Sequence, residues 1–249
     1  MLFARYAFGP NRLGYCGPAD ADAFFETSTP GTDNPQLRAM AREFAGAWPY
    51  LELIAGATGL ADPLDRRAVE AYWVGSPRLD QVATAATGDS MEERFRRRAG
   101  PRFANLTEGV LAGGVPHHSF AVFCIYPWVG MLGDERRSPH AVHVLDMCRI
   151  RWGTVLAIDG DQVVVESSHL TWDGRRLDFG EPTPETVIRS IDGIGLSSPL
   201  HLGDRVSMHW EWICDTLTQR QLAALRHYTQ RHLSFVNDAG PAGPAQMLS

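Results

Sequence analysis

Two Asp-Gly dipeptides constrain what the last two fifths of this chain can become. Asp159-Gly160 lies between Val155-Leu156-Ala157-Ile158 and Val163-Val164-Val165, and Asp173-Gly174 lies between Leu170-Thr171-Trp172 and the run Arg175 to Phe179. Both residues of such a pair tolerate positive φ, so each dipeptide predicts a two-residue hairpin. Further strands are expected over Glu185 to Ile191 and over Arg205 to Ile213, the second entered through Gly203-Asp204. Several short strands with tight turns leave many edges to protect, and closing the sheet into a small β-barrel removes them. Thr218, with Gln221 three residues on, then reads as a capping box opening a terminal helix. Its stripe of Leu222, Leu225, Tyr228 or Thr229, and Leu233 is expected to face the barrel, with Asn237 and Gly240 ending it.

The preceding part carries helical periodicity. Asn34-Pro35 is an N-cap followed by proline at the first helical position, and Leu37, Met40, Phe44 and Trp48 recur behind it until Trp48-Pro49 interrupts. A second helical run covers Leu64 to Val74. Ser90 caps a third in which Met91 and Phe95 share a face, and about Leu2 to Leu145 reads as a mainly helical unit with irregular entry segments. Val110 to Met131 is apolar, punctuated by Gly and Pro, and expected to be buried. Gly133 to Pro139 is the candidate linker, and strand periodicity is expected from Asp146. The expected organisation is α+β: a mainly helical domain over 1–145, a β-barrel with a C-terminal helix over 146–237, and a disordered tail over 238–249.

Composition narrows the chemistry. All 23 basic residues of the 249 are arginine, which excludes a Schiff-base lysine and a Walker phosphate loop. The formal charge of -6 argues against general nucleic-acid binding, and the cluster Arg94, Arg96, Arg97, Arg98 and Arg102 reads as a solvated helix face. No apolar run reaches membrane-spanning length and the first residues lack a secretion signal, so the expected location is cytoplasmic and membrane-free. The four cysteines form no CxxC pair. They are expected to be thiols, and any metal site must be assembled by folding.

One set of residues runs in a familiar order: Met147, Cys148, Gly153, Val155, Asp159 and Gly160, then Leu202, Gly203, Asp204, Val206 and His209, then the helix after Thr218. Over about residues 146–237 this resembles the HypC/HupF family of nickel-iron hydrogenase maturation chaperones. The resemblance implies a HypC-like (OB-like) barrel and an accessory role in hydrogenase maturation. Its implied partners are a maturation scaffold protein or the hydrogenase large-subunit precursor. The implied cargo is iron carrying cyanide and carbon monoxide, bound transiently. Cys148 would be the iron ligand, and His209 a second ligand or a hydrogen-bonding group that tunes the thiolate. Thiolate suits that task, being soft, negatively charged and displaceable. In the family the cysteine sits at the amino terminus, whereas here a helical unit precedes Cys148, and Trp152 stands where the family tends to have proline. That helical unit would be a specificity module for a partner.

Other constellations point elsewhere. Cys16 sits in the Gly- and Pro-flanked loop Asn11 to Pro18, and with His117 or His118 as base it would be the nucleophile of a hydrolase or acyltransferase. In a strand only one of the two adjacent histidines could face such a site. A metal site in this half could instead draw on Cys16, His117 or His118, Cys124, His140 and His143. The last two share a face if a helix starts at Pro139 and diverge in a strand. A non-metal interaction module would bury every cysteine.

Overall fold

The computed structural model describes residues 1–83, 86 and 114–239. The Ser90-capped helix with Met91 and Phe95, the arginine cluster from Arg94 to Arg102, and the tail from Gly240 on lie outside the described residues.

The helical part is built around α1 (Leu2–Arg12), which buries Phe3, Ala4, Tyr6, Ala7 and Phe8. Around it stand α2 (Ala21–Ser28), α3 (Pro35–Arg42), α4 (Trp48–Ala57) and α5 (Arg66–Trp73). Local chemistry fixes their starts. Asp20, Asn34 and Asp65 each accept a hydrogen bond from a first-turn backbone N–H, and Pro35 occupies the first turn of α3, where its missing N–H costs nothing. The buried stretch after residue 113 enters a helical turn at His118–Phe120 and widens into a π turn over Ala121–Ile125. Helix α6 (Ser138–Cys148) follows, and the described residues end in the long helix α7 (Gln219–Ala239).

Between α6 and α7 the sheet closes. Strands β1 (Arg151–Asp159), β2 (Gln162–Ser167), β5 (Thr183–Ile188), β6 (Arg205–His209) and β7 (Trp212–Thr216) form a barrel in the order β1-β2-β5-β7-β6, with β1 and β6 antiparallel across the seam. Alternation along the strands points Val155, Val163, Val165, Val187, Val206, Met208 and Ile213 inward. The outer face of the β6–β7 hairpin packs on α1. Tyr6 Oη lies 3.0 Å from Ser207 Oγ, Arg5 pairs with Asp215 at 2.8 Å, and Phe8 meets Trp212 edge-on with ring centroids 4.8 Å apart. One apolar core therefore runs from α1 into β7, taking in Trp212 and Cys214.

The closed barrel, the helices and the terminal helix match the α+β expectation, while several local readings need correction. The entry segments hold two helices, α1 and α2, ahead of the cap at Asn34. Trp48-Pro49 opens α4; it does not break α3, which has already ended at Arg42. The run from Asp146 stays helical through Cys148, so the cysteine closes a helix and strand pairing starts at Arg151. Asp159 pairs with Gln162, which shifts the first turn to Gly160-Asp161. The second hairpin, β3 (Leu170–Trp172) with β4 (Leu177–Phe179), is a separate two-stranded sheet beside the barrel. Arg205 to Ile213 is two strands turned at Trp210-Glu211. Helix α7 keeps its capping box, with Gln221 Oε1 accepting from Thr218 N at 2.9 Å. Its stripe faces the His118–Ile125 segment and β4, where His232 meets Ser119 and Asn237 bonds both backbone groups of Leu177 at 2.9 Å. Asn237 thus lies inside the helix, which continues through Asp238 and Ala239. Among the described residues no helix is long and apolar enough to cross a membrane.

Candidate metal centre

Strand β6 ends at His209 and helix α6 ends at Cys148, and the fold brings these two ends together. A ring nitrogen of His209, the Cys148 sulfur and a ring nitrogen of His118 all lie within 4.8 Å of one another. His209 is buried, and its Nδ1 lies 2.7 Å from the Tyr6 carbonyl of α1. A carbonyl can only accept, so Nδ1 carries the proton and Nε2 presents its lone pair. That Nε2 is buried without a hydrogen-bond partner. Burial pushes the His209 pKa down to about 4, so the imidazole is neutral near pH 7. A neutral histidine whose far nitrogen is fixed by a carbonyl is the usual state of a metal-ligating imidazole.

His118 comes from the helical part. Its Nε2 donates to the Cys148 carbonyl at 2.8 Å, and its Nδ1 lies 3.3 Å from Tyr72 Oη, which itself donates to the Gly46 carbonyl. Both ring nitrogens of His118 are thus engaged, so ligation through Nε2 would need the ring to turn away from the Cys148 carbonyl. Burial holds His118 well below the ordinary histidine range. Cys148 is partly exposed; burial pushes its thiol up and the neighbouring Cys16 thiol adds to that push. The sulfur is therefore a thiol until something replaces its proton, as a soft metal ion does.

Charged groups hold both arms of this cluster. Asp146, one turn end before Cys148, accepts from the buried Arg149 at 2.8 Å, from Leu170 N at 3.0 Å and from His169 at 2.6 Å. Burial pushes the Asp146 carboxyl up, but His169, Arg149 and Arg151 outweigh it and the net shift is strongly downward. On the other arm the fully buried Arg151 binds the Glu185 carboxylate and donates to the Trp210 carbonyl at 2.6 Å. Trp210 follows His209 directly and holds φ at 54°, a left-handed conformation that bulky residues rarely adopt. Its amide donates to the Met147 carbonyl at 2.9 Å and its ring stacks on Tyr15 at 4.1 Å. Backbone strain next to a ligand-like histidine, over-determined by its surroundings, is a pattern found at functional sites. Gly9 of α1 completes the frame: a Cβ there would stand 2.3 Å from the His209 carbonyl oxygen.

The other sequence candidates fall in different places. Cys16 is exposed, in the loop that leads out of α1 over Trp210. His117 and His118 start a helical turn and their side chains part. His117 turns into a second buried cluster, where Ser119 Oγ lies 2.7 Å from both His117 Nδ1 and His232 Nδ1. Burial takes the His117 pKa down to about 3. Cys124 and Cys214 are buried. His140 and His143 lie on α6, as the helical alternative has it, and both are exposed. Sequence reasoning paired Cys148 with His209 but grouped His118 with Cys16. Nothing local marks His118 as the third member, because 30 residues separate it from Cys148.

One thiol and two neutral imidazoles form a borderline-soft donor set suited to iron, zinc or cobalt, and the orphaned His209 Nε2 fits such an ion. No curated protein and no solved structure matches the chain. A family model matches residues 1–242, a span that takes in Cys16, His118, Cys148 and His209. The chain belongs to that family, a family of unknown function (DUF6390).

Proposed function

We propose that this chain is an accessory protein of nickel-iron hydrogenase maturation that holds an iron fragment, with cyanide and carbonyl attached, on Cys148 and His209 and passes it to a partner. The observation that carries the reading is the buried, unpartnered His209 Nε2 beside the Cys148 sulfur, reached from two elements that a HypC-like order of residues predicts to meet. The cargo would arrive with a single protein thiolate to hold it and leave for a site richer in cysteine, a transfer that a displaceable ligand permits. The protein's own contribution is positional. Tyr6 fixes the His209 tautomer, Asp146 and Arg149 brace the end of α6, and Arg151 braces the turn after His209. Cys148 is only partly exposed and burial dominates at its thiol, so a docking protein would have to open the site to reach the sulfur. In this reading the helical part does more than choose the partner, since it supplies His118 to the cluster.

The test is purification of the tagged chain, under anaerobic conditions, from cells expressing a nickel-iron hydrogenase and its maturation proteins. The expected result is co-purification of the scaffold or the large-subunit precursor, with infrared bands of metal-bound cyanide and carbonyl that vanish in Cys148→Ala. Absence of those bands from a chain that does co-purify would reduce the role to scaffolding.

A further inference from the structure

The loop whose Tyr15 stacks on Trp210 carries a second sulfur. Helix α1 places Tyr6 and Gly9 under His209 and then turns out through Leu13 to Pro18. Asn11 pins that loop from below, its Nδ2 donating to the Cys16 and Pro18 carbonyls at 2.8 Å each. Gly14 and Gly17 bend it at positive φ, and a Cβ on Gly17 would strike the Phe44 ring at 2.3 Å, so the loop lies tight against the helical part. Tyr15, 61% exposed as a residue, lays its ring on Trp210. Trp210 in turn bonds Met147, and Cys148 packs against the small cluster of Val144, Met147 and Trp210. Cys16 follows Tyr15 in that loop, beside this patch, and lies outside the 4.8 Å group formed by His118, Cys148 and His209. Its thiol acts electrostatically on Cys148.

Three donors leave a tetrahedral ion one position short, and a borderline-soft ion prefers a thiolate in the fourth. We infer that Cys16 is an exchangeable second thiolate ligand that closes over a metal held by Cys148, His209 and His118, so that the loop 13–18 caps the site. The inference rests on the metal-binding reading of the cluster. On binding, Cys16 gives up its thiol proton to solvent and its sulfur donates an electron pair to the metal; reprotonation releases it. No redox change is involved. A partner that lifts Tyr15 from Trp210 would draw Cys16 away and leave the metal on fewer ligands, which couples docking to release.

Cobalt(II) is the probe, because thiolate-to-cobalt charge-transfer absorption grows with the number of sulfur ligands. The full chain, reduced and anaerobic, is loaded with cobalt(II) alone. The expected amplitude per bound cobalt falls by about half in Cys16→Ser, and EDTA strips the metal about tenfold faster or more. Tyr15→Ala is expected to keep the full amplitude while speeding EDTA removal, a kinetic signature of a loosened cap. Cys148→Ser tests the underlying site and is expected to abolish tight binding. Full amplitude and unchanged release in Cys16→Ser, with binding lost in Cys148→Ser, would overturn the role of Cys16 and leave the three-residue site standing. A wild-type chain with no charge-transfer band, or a band that survives Cys148→Ser unchanged, would overturn both.

Discussion

Replacing Arg151 by methionine probes how firmly the candidate centre is held. Arg151 is fully buried, binds both oxygens of Glu185 from β5, and donates to the Trp210 carbonyl at 2.6 Å. Methionine fills much of the same volume without the charge. It leaves Glu185 mostly buried with Ser167 and, at 3.8 Å, the His169 ring as its partners, and leaves the carbonyl of a strained turn residue unpaired. Removing one member of a buried pair typically costs about 3–5 kcal/mol, because the other charge stays behind uncompensated. Against a total stability of about 5–15 kcal/mol that is a large loss. Urea unfolding followed by circular dichroism would measure it. The double variant Arg151→Met/Glu185→Met removes both charges and should recover most of the loss, giving a coupling energy of about 2 kcal/mol or more. Because the Trp210 turn sets the position of His209, cobalt affinity should fall in the single variant as well. A cost below about 1 kcal/mol for Arg151→Met, or a double variant as unstable as the two singles summed, would refute the claim that this pair braces the site.

Three further perturbations have definite signs. Gly9→Ala should destabilise by about 1–3 kcal/mol and weaken metal binding, although alanine is the better helix former by about 1 kcal/mol, because its Cβ would meet the His209 carbonyl oxygen; a more stable variant in thermal unfolding would contradict the packing. Asn237→Ala strands both backbone groups of Leu177 and should cost about 1–3 kcal/mol in urea unfolding, with a neutral result arguing against the docking of α7 on β4. The Asp146 carboxylate raises the His169 pKa above its ordinary 6.5. The stabilisation from that pair is therefore complete below 6.5 and fades as pH rises through the higher folded value. Melting temperatures should show His169→Gln trailing the wild type more at about pH 6 than at about pH 9; a gap that widens with pH would have the wrong sign.

What the sequence disclosed, and what it hid, follows from where the signal sits. The capping box at Thr218 and Gln221, the cap at Asn34 and the glycine turns are local, and each marks a real element boundary to within a residue or so. Helix α1 carries no such mark: Met1 gives it no side-chain cap, and Gly9-Pro10 near its end is a turn signal. The turn at Trp210-Glu211 was hidden as well. It holds a positive φ without the glycine or asparagine that normally announces one, and tertiary bonds from Arg151 and Met147 do what local sequence does elsewhere. Cys148 and His209 were legible through an order of residues that spans the barrel. His118 was not legible as their companion, since only tertiary packing of the helical turn at His118 beside the ends of α6 and β6 brings the three together.

Iron X-ray absorption on the chain loaded anaerobically with ferrous iron tests the central claim most directly. The account predicts a sulfur shell at about 2.3 Å with imidazole scattering beyond it, the sulfur contribution falling in Cys148→Ser and the imidazole contribution in His209→Ala. A shell of oxygen and nitrogen alone, unchanged by either substitution, would contradict it.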